Sequence, residues 1–225
     1  MDQKDSMRDL RLTSDLVDLS LKGKFQLTEL SDIFVQIADN IYPLEDRIFE
    51  ADQRDLYAQL SIKDYHPLLE HYLGGLKFKS ANLKLEHNGF SGKSNAIAEI
   101  QDVEFSSVST SSLQFTLQQN SGEEVAGYTL ATESFSLADS VLFYAINARG
   151  SFEENRISVL LDAQRDVNLN AQVDASIQIK QDSVMVYFNK VDALINEKLW
   201  QMGKTDFANI TSIEFAISSI IGIIF

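Results

Sequence analysis

Between Leu16 and Ile41 the chain changes from one hydrophobic period to another. Val17, Leu19, Leu21, Phe25 and Leu27 alternate with Asp18, Ser20, Lys22, Lys24 and Gln26, the period of two that gathers apolar side chains on one face of a strand. Leu30, Ile33, Phe34, Ile37, Ala38 and Ile41 then recur at helical spacing. The pattern predicts a strand and then a helix over 28–42, with Thr28 as its N-cap and Pro43 as its stop.

Leu56, Ala58, Leu60 and Ile62 alternate again and predict another strand. Residues 64–73 read as a second short helix, with Pro67 near its start and Gly74-Gly75 ending it. From there onward the pattern is almost entirely β, with strands predicted at 76–86, 94–99, 112–119, 127–133, 141–148, 156–163, 167–180 and 184–189. Turn chemistry separates them at Asn88-Gly89, Ser121-Gly122, Glu153-Glu154-Asn155 and Gln181-Asp182. Connections this short favour antiparallel neighbours and a meander. The longest alternation, Val167, Leu169, Ala171, Val173, Ala175, Ile177 and Ile179, would span ~40 Å as one unbroken strand. The serines at 106, 107, 109, 111 and 112 fit either a loop or the wet face of a strand.

The expected fold is therefore mainly β, an antiparallel meander curled around something apolar, either its own core or a ligand, with two short helices in the N-terminal third. No linker separates its parts, so residues 1–225 read as one body. Its strand-helix-strand-helix opening covers 1–75, the meander 76–210, and a tail 211–225. That tail is apolar but interrupted by Glu214, and it is shorter than the roughly 20 residues of a membrane span.

Charge narrows the partners. A net charge of −14 repels phosphate, so nucleic acid is not an expected partner, and no basic cluster invites an anionic membrane surface. The absence of cysteine rules out disulfides and thiolate metal sites without fixing the compartment. His66 and His71, five apart, stand about 140° apart on a helix and do not converge on a metal. No nucleophile elbow, phosphate loop or zinc signature is present, so neither a cofactor nor catalysis is expected.

Three stretches, in order, resemble TamB-like proteins of the AsmA superfamily. They are Leu21-Lys22-Gly23-Lys24-Phe25-Gln26-Leu27 with the helix ending Ile41-Tyr42-Pro43, then Ala148-Arg149-Gly150-Ser151-Phe152 through Asn155-Arg156-Ile157, then Leu194-Ile195-Asn196-Glu197-Lys198-Leu199-Trp200 with Asn209-Ile210 downstream. The resemblance implies that the meander is curled into an open groove, residues 1–225 forming a single β-groove segment of a long taco-shaped sheet in the periplasm or cell envelope, anchored in the inner membrane, that moves phospholipid acyl chains toward the outer membrane. This sequence would be an internal fragment, continued by flanking segments of a longer chain. Contacts with outer-membrane assembly machinery would belong to regions outside it.

Two functions compete. The first is a segment of a lipid-transport conduit whose trough is lined by Ile157, Val159, Leu161, Val167, Leu169, Ala171, Val173, Ala175, Ile177, Ile179, Val184, Val186 and Phe188. Burial of about ten methylenes would contribute on the order of 8 kcal/mol before association costs, with no specific side chain required. The second is a closed β-sandwich serving as a surface binding or adhesion module, in which the same faces form a dry core. An Asp at Ala175 is expected to cost little in an open trough and several kcal/mol in a closed core.

Overall fold

The computed structural model describes residues 7–41, 54–63, 75–119, 125–137, 140–153, 156–166, 169–180, 183–195, 198–202 and 207–210. In chain order these form β1 (Arg8–Thr13), β2 (Val17–Gly23), α1 (Leu30–Ile41), β3 (Asp55–Ile62), β4 (Ser80–Asn88), β5 (Lys93–Phe105) and β6 (Val108–Gln119). There follow β7 (Ala126–Leu137), β8 (Ser140–Glu153), β9 (Arg156–Asp166), β10 (Leu169–Lys180), β11 (Ser183–Ile195), β12 (Lys198–Met202) and β13 (Phe207–Ile210).

Every strand from β1 to β12 pairs antiparallel with the next, so sequence order is also spatial order, and β13 adds to the free half of β11. The meander is the predicted one, and the sheet does not close into a barrel. Three buried clusters lie on it, and each draws on neighbouring strands, on α1, or on the connecting residues Phe25 and Phe78. No described cluster joins distant strands face to face, as a sandwich core would.

Several boundaries differ from expectation. β1 was not anticipated: only Leu10 and Leu12 mark its apolar face, and both are exposed. β2 stops at Gly23, whose φ of +148° disfavours a side chain and whose Cβ would lie 1.9 Å from the Asp55 carbonyl oxygen. Lys24 N–H then donates to that carbonyl at 2.9 Å, and the chain leaves the sheet. Thr28 is not an N-cap but sits inside a 3₁₀ turn, Leu27–Glu29, where Glu29 accepts the Gln26 N–H at 3.2 Å. The second helix expected at 64–73 falls outside the described residues, so α1 is the one helix of that length among them. The long alternation lies in β10 from Leu169 to Ile179. β9 ends at Asp166 and β10 begins opposite it at Leu169, leaving Val167 outside the described residues.

A crease crosses β5 to β8. Core positions step by three rather than two from Ile100 to Val103, from Leu113 to Thr110, from Thr132 to Phe135 and from Ile146 to Phe143. A step of three would invert the face in a regular strand. Here Asp102 at φ 49° and Ser134 at φ 50° absorb the extra residue, and the register shifts between Phe135 and Ser136. The serine-rich stretch supplies the hydrogen bonds lost from the ladder. Thr110 Oγ1 donates to the Glu133 carbonyl at 2.7 Å, Ser111 Oγ reaches the same oxygen at 3.1 Å, and Ser134 Oγ donates to Ser111 Oγ at 2.6 Å. Thr110 is buried, so Thr110→Val, nearly isosteric, is expected to cost about 1 kcal/mol in urea denaturation. An unchanged midpoint would mean that the hydroxyl does not hold the crease.

Candidate apolar trough

Register turns the alternating strands into apolar rows that run across the sheet. The central row is Leu12, Leu19, Leu60, Leu83, Ala98, Phe115, Leu130, Ala148, Leu161, Val173, Val191 and Met202, each paired with the next. It crosses twelve strands without one polar position. At about 4.8 Å per strand it spans about 50 Å. A parallel row runs Leu10, Leu21, Ala58, Leu85, Ala96, Leu117, Tyr128 and Gly150, and β9 to β11 extend it with Val159, Ala175 and Phe188. The other face carries the charges and amides: Gln172 donates to Asp162 at 2.9 Å, and Asn189 to Asp174 at 2.9 Å.

Polar residues reach the apolar face toward both ends of the strands, as Thr110 and Thr132 at the crease and as His87, Ser94 and Gln119 opposite it. His87 pairs with Ser94, and Ser94 with Gln119. His87 Nδ1 lies 3.0 Å from Ser94 Oγ, and both residues are buried. Among the described residues no three His, Asp or Glu side chains are grouped to hold a metal ion. His66 and His71 lie outside the described residues.

Burial divides this face into three sections. Over β2 to β4 it is covered by α1: Ile33 and Ile37 pack against Leu21, Phe25 and Leu56, with Ala58 and Leu85 at the margin. Over β8 to β11 it is packed tightly by Phe143, Ala163, Ala171, Val173, Ala175, Val186, Phe188, Val191 and Ala193. Between them the face is half-open. Ala96, Ala98, Phe115 and Leu130 are all partly exposed and Leu83 reaches 37%, while toward the crease Ile100 and Leu113 pack against the third cluster, Phe78, Ala81 and Val103.

The predicted lining residues therefore come together, but in the packed section. Ile157 faces Ile177, which faces Val186; Val159 faces Ala175, which faces Phe188; Leu161 faces Val173, which faces Val191. Ile179 stands in register with Val184, and Leu169 with Ile195. β11 carries a bulge opposite Asp174 and Ala175. Register slips there by one residue at Asn189, which keeps Phe188 and Val191 both buried in the same cluster. Ala175 is 5% exposed, so its burial reflects local packing in an unclosed sheet and does not discriminate trough from sandwich. The half-open residues on β4 to β7 were legible as strand faces but were not selected as lining. Alternation shows which side is apolar and says nothing of what covers it.

An aromatic notch borders the open section. Tyr128 lies 4.9 Å from the Phe152 ring and 6.4 Å from Phe115, and its hydroxyl donates to the Ser158 carbonyl at 2.9 Å. Burial raises the Tyr128 phenol above its ordinary pKa, which keeps it a donor. This arrangement offers apolar area for an extended ligand and few polar groups to orient one. No protein-family model, curated protein or solved structure matches this chain.

Proposed function

We propose that this chain is a segment of a cell-envelope lipid conduit, with phospholipid acyl chains lying in its apolar trough. The observation that carries the reading is the uncharged central row across twelve strands, half-open between Leu83 and Leu130. A single-layer sheet that needed only a core would bury that row against a second layer. Half-exposed apolar side chains over this length are instead suited to a partner of no fixed shape, and a hydrocarbon chain is such a partner. Headgroups would stay in water along the open side. The resemblance to TamB-like proteins supports the same reading, in which the chain would be one stretch of a longer groove in the periplasm. β1 and β12 are the terminal strands of the ladder, and flanking segments would extend it there.

The test is extraction of the purified chain with organic solvent, followed by mass spectrometry. Stoichiometric phospholipid is expected from the wild type, and several-fold less from Ala98→Asp, which places a carboxylate in the half-open row between Leu83 and Phe115. Lipid-free wild-type protein that binds no added phospholipid would sink the reading and favour an adhesion or binding module.

A further inference from the structure

We infer that α1 occupies a cryptic section of the trough, and that an acyl chain displaces it to reach the face beneath. The inference rests on the lipid reading above. The row under the helix has the same character as the row beside it: Leu21, Ala58 and Leu85 lead without a polar position into Ala96 and Leu117. What separates the covered section from the open one is α1 and not a change in the sheet.

The helix is held as a ligand would be held. Ile33 is 1% and Ile37 4% exposed, both against the apolar face. None of the described α1 side chains makes a hydrogen bond or ion pair to the sheet; the capping contact between Glu29 and Gln26 is local to the helix start. The contact made by Ile33 and Ile37 is apolar, and an apolar contact can be exchanged for another of similar area. Phe34 and Val35, 42% and 53% exposed, flank the buried stripe and leave α1 with apolar surface that its present position does not use. The chain enters α1 through Gly23, where β2 ends and the backbone turns out of the sheet. α1 can therefore move without breaking the β2 ladder.

A palmitate bearing a mid-chain diazirine tests this on the whole chain, with cross-linked residues mapped by mass spectrometry. In the wild type, label is expected first on Ala98, Phe115 and Leu130. Label on Leu21 and Leu56 should need about tenfold more probe, because the helix must first be displaced. In Ile33→Asp/Ile37→Asp both groups should label at the same probe concentration. Should that variant fail to fold, amide exchange in the wild type decides: residues 30–41 should exchange about tenfold faster at saturating probe while β10 is unchanged. No label at Ala98, Phe115 and Leu130 would overturn the lipid reading itself. Label there, with Leu21 and Leu56 dark in a folded variant or with exchange of α1 unaffected by probe, would overturn the displacement of α1 alone.

Discussion

Ala175→Asp is expected to unfold the β8 to β11 part of the sheet, whereas Ala98→Asp should leave the protein folded. Ala175 stands between Val159 and Phe188, is 5% exposed, and belongs to a cluster with no described polar partner among its members. A carboxylate there would be stripped of water without a counter-charge, at a cost of about 3–5 kcal/mol, a large part of the stability of a typical domain. Ala98 is partly exposed, so its carboxylate can turn to water at about 1 kcal/mol. Urea titration with far-UV circular dichroism compares the two, with Ala175→Ser as a control for loss of the alanine alone. Equal midpoints for the two aspartates would mean that the β8 to β11 cluster is as accessible as the middle of the trough. Unfolding of Ala175→Asp alone says nothing against an open groove, since that position is covered locally while the sheet remains unclosed.

The contrast also shows what was legible in the sequence. Strand identity, the apolar face and the meander follow from period-two alternation joined by short polar turns, and these depend on local chemistry alone. Where that chemistry is thin, the reading failed: β1 has only Leu10 and Leu12 as apolar residues, and its other positions are polar and, Arg8 apart, exposed. It failed again at the crease, where steps of three at Ile100 to Val103 and Thr132 to Phe135 break the alternation although both strands continue. Such steps are accommodated by left-handed residues and hydroxyl bonds between strands, which a period count does not register. Openness was the least legible property. The most regular alternation proved to be buried at Ala171, Val173 and Ala175, while the half-open face belongs to shorter runs around Ala96, Phe115 and Leu130. Regular alternation over a long strand favours close cross-strand packing, and exposure is decided by what lies above the sheet.

Gly150→Ala is expected to destabilise the fold by about 3 kcal/mol, the second largest effect, even though the change adds a single methyl group. Gly150 lies opposite Tyr128 on one side and beside β9 on the other, where the ladder between Arg149–Leu160 and Phe152–Ile157 is interrupted. In that gap Ser151 N–H donates to Ser158 Oγ at 2.8 Å, and the Ser158 carbonyl accepts from the Tyr128 hydroxyl at 2.9 Å. A Cβ on residue 150 would fall 1.8 Å from that carbonyl oxygen and 3.0 Å from Tyr128 Cε1. The carbonyl is backbone, so relief requires β9 to move away, and that movement breaks the tyrosine bond. Tyr128→Phe removes the same bond without the clash and should cost about 1 kcal/mol. The double variant Gly150→Ala/Tyr128→Phe should therefore lose less than the sum of the two, because the bond can be lost only once. Full additivity in urea titration would show that β9 accommodates the methyl group without releasing Tyr128, and that the notch is not the reason a glycine stands there.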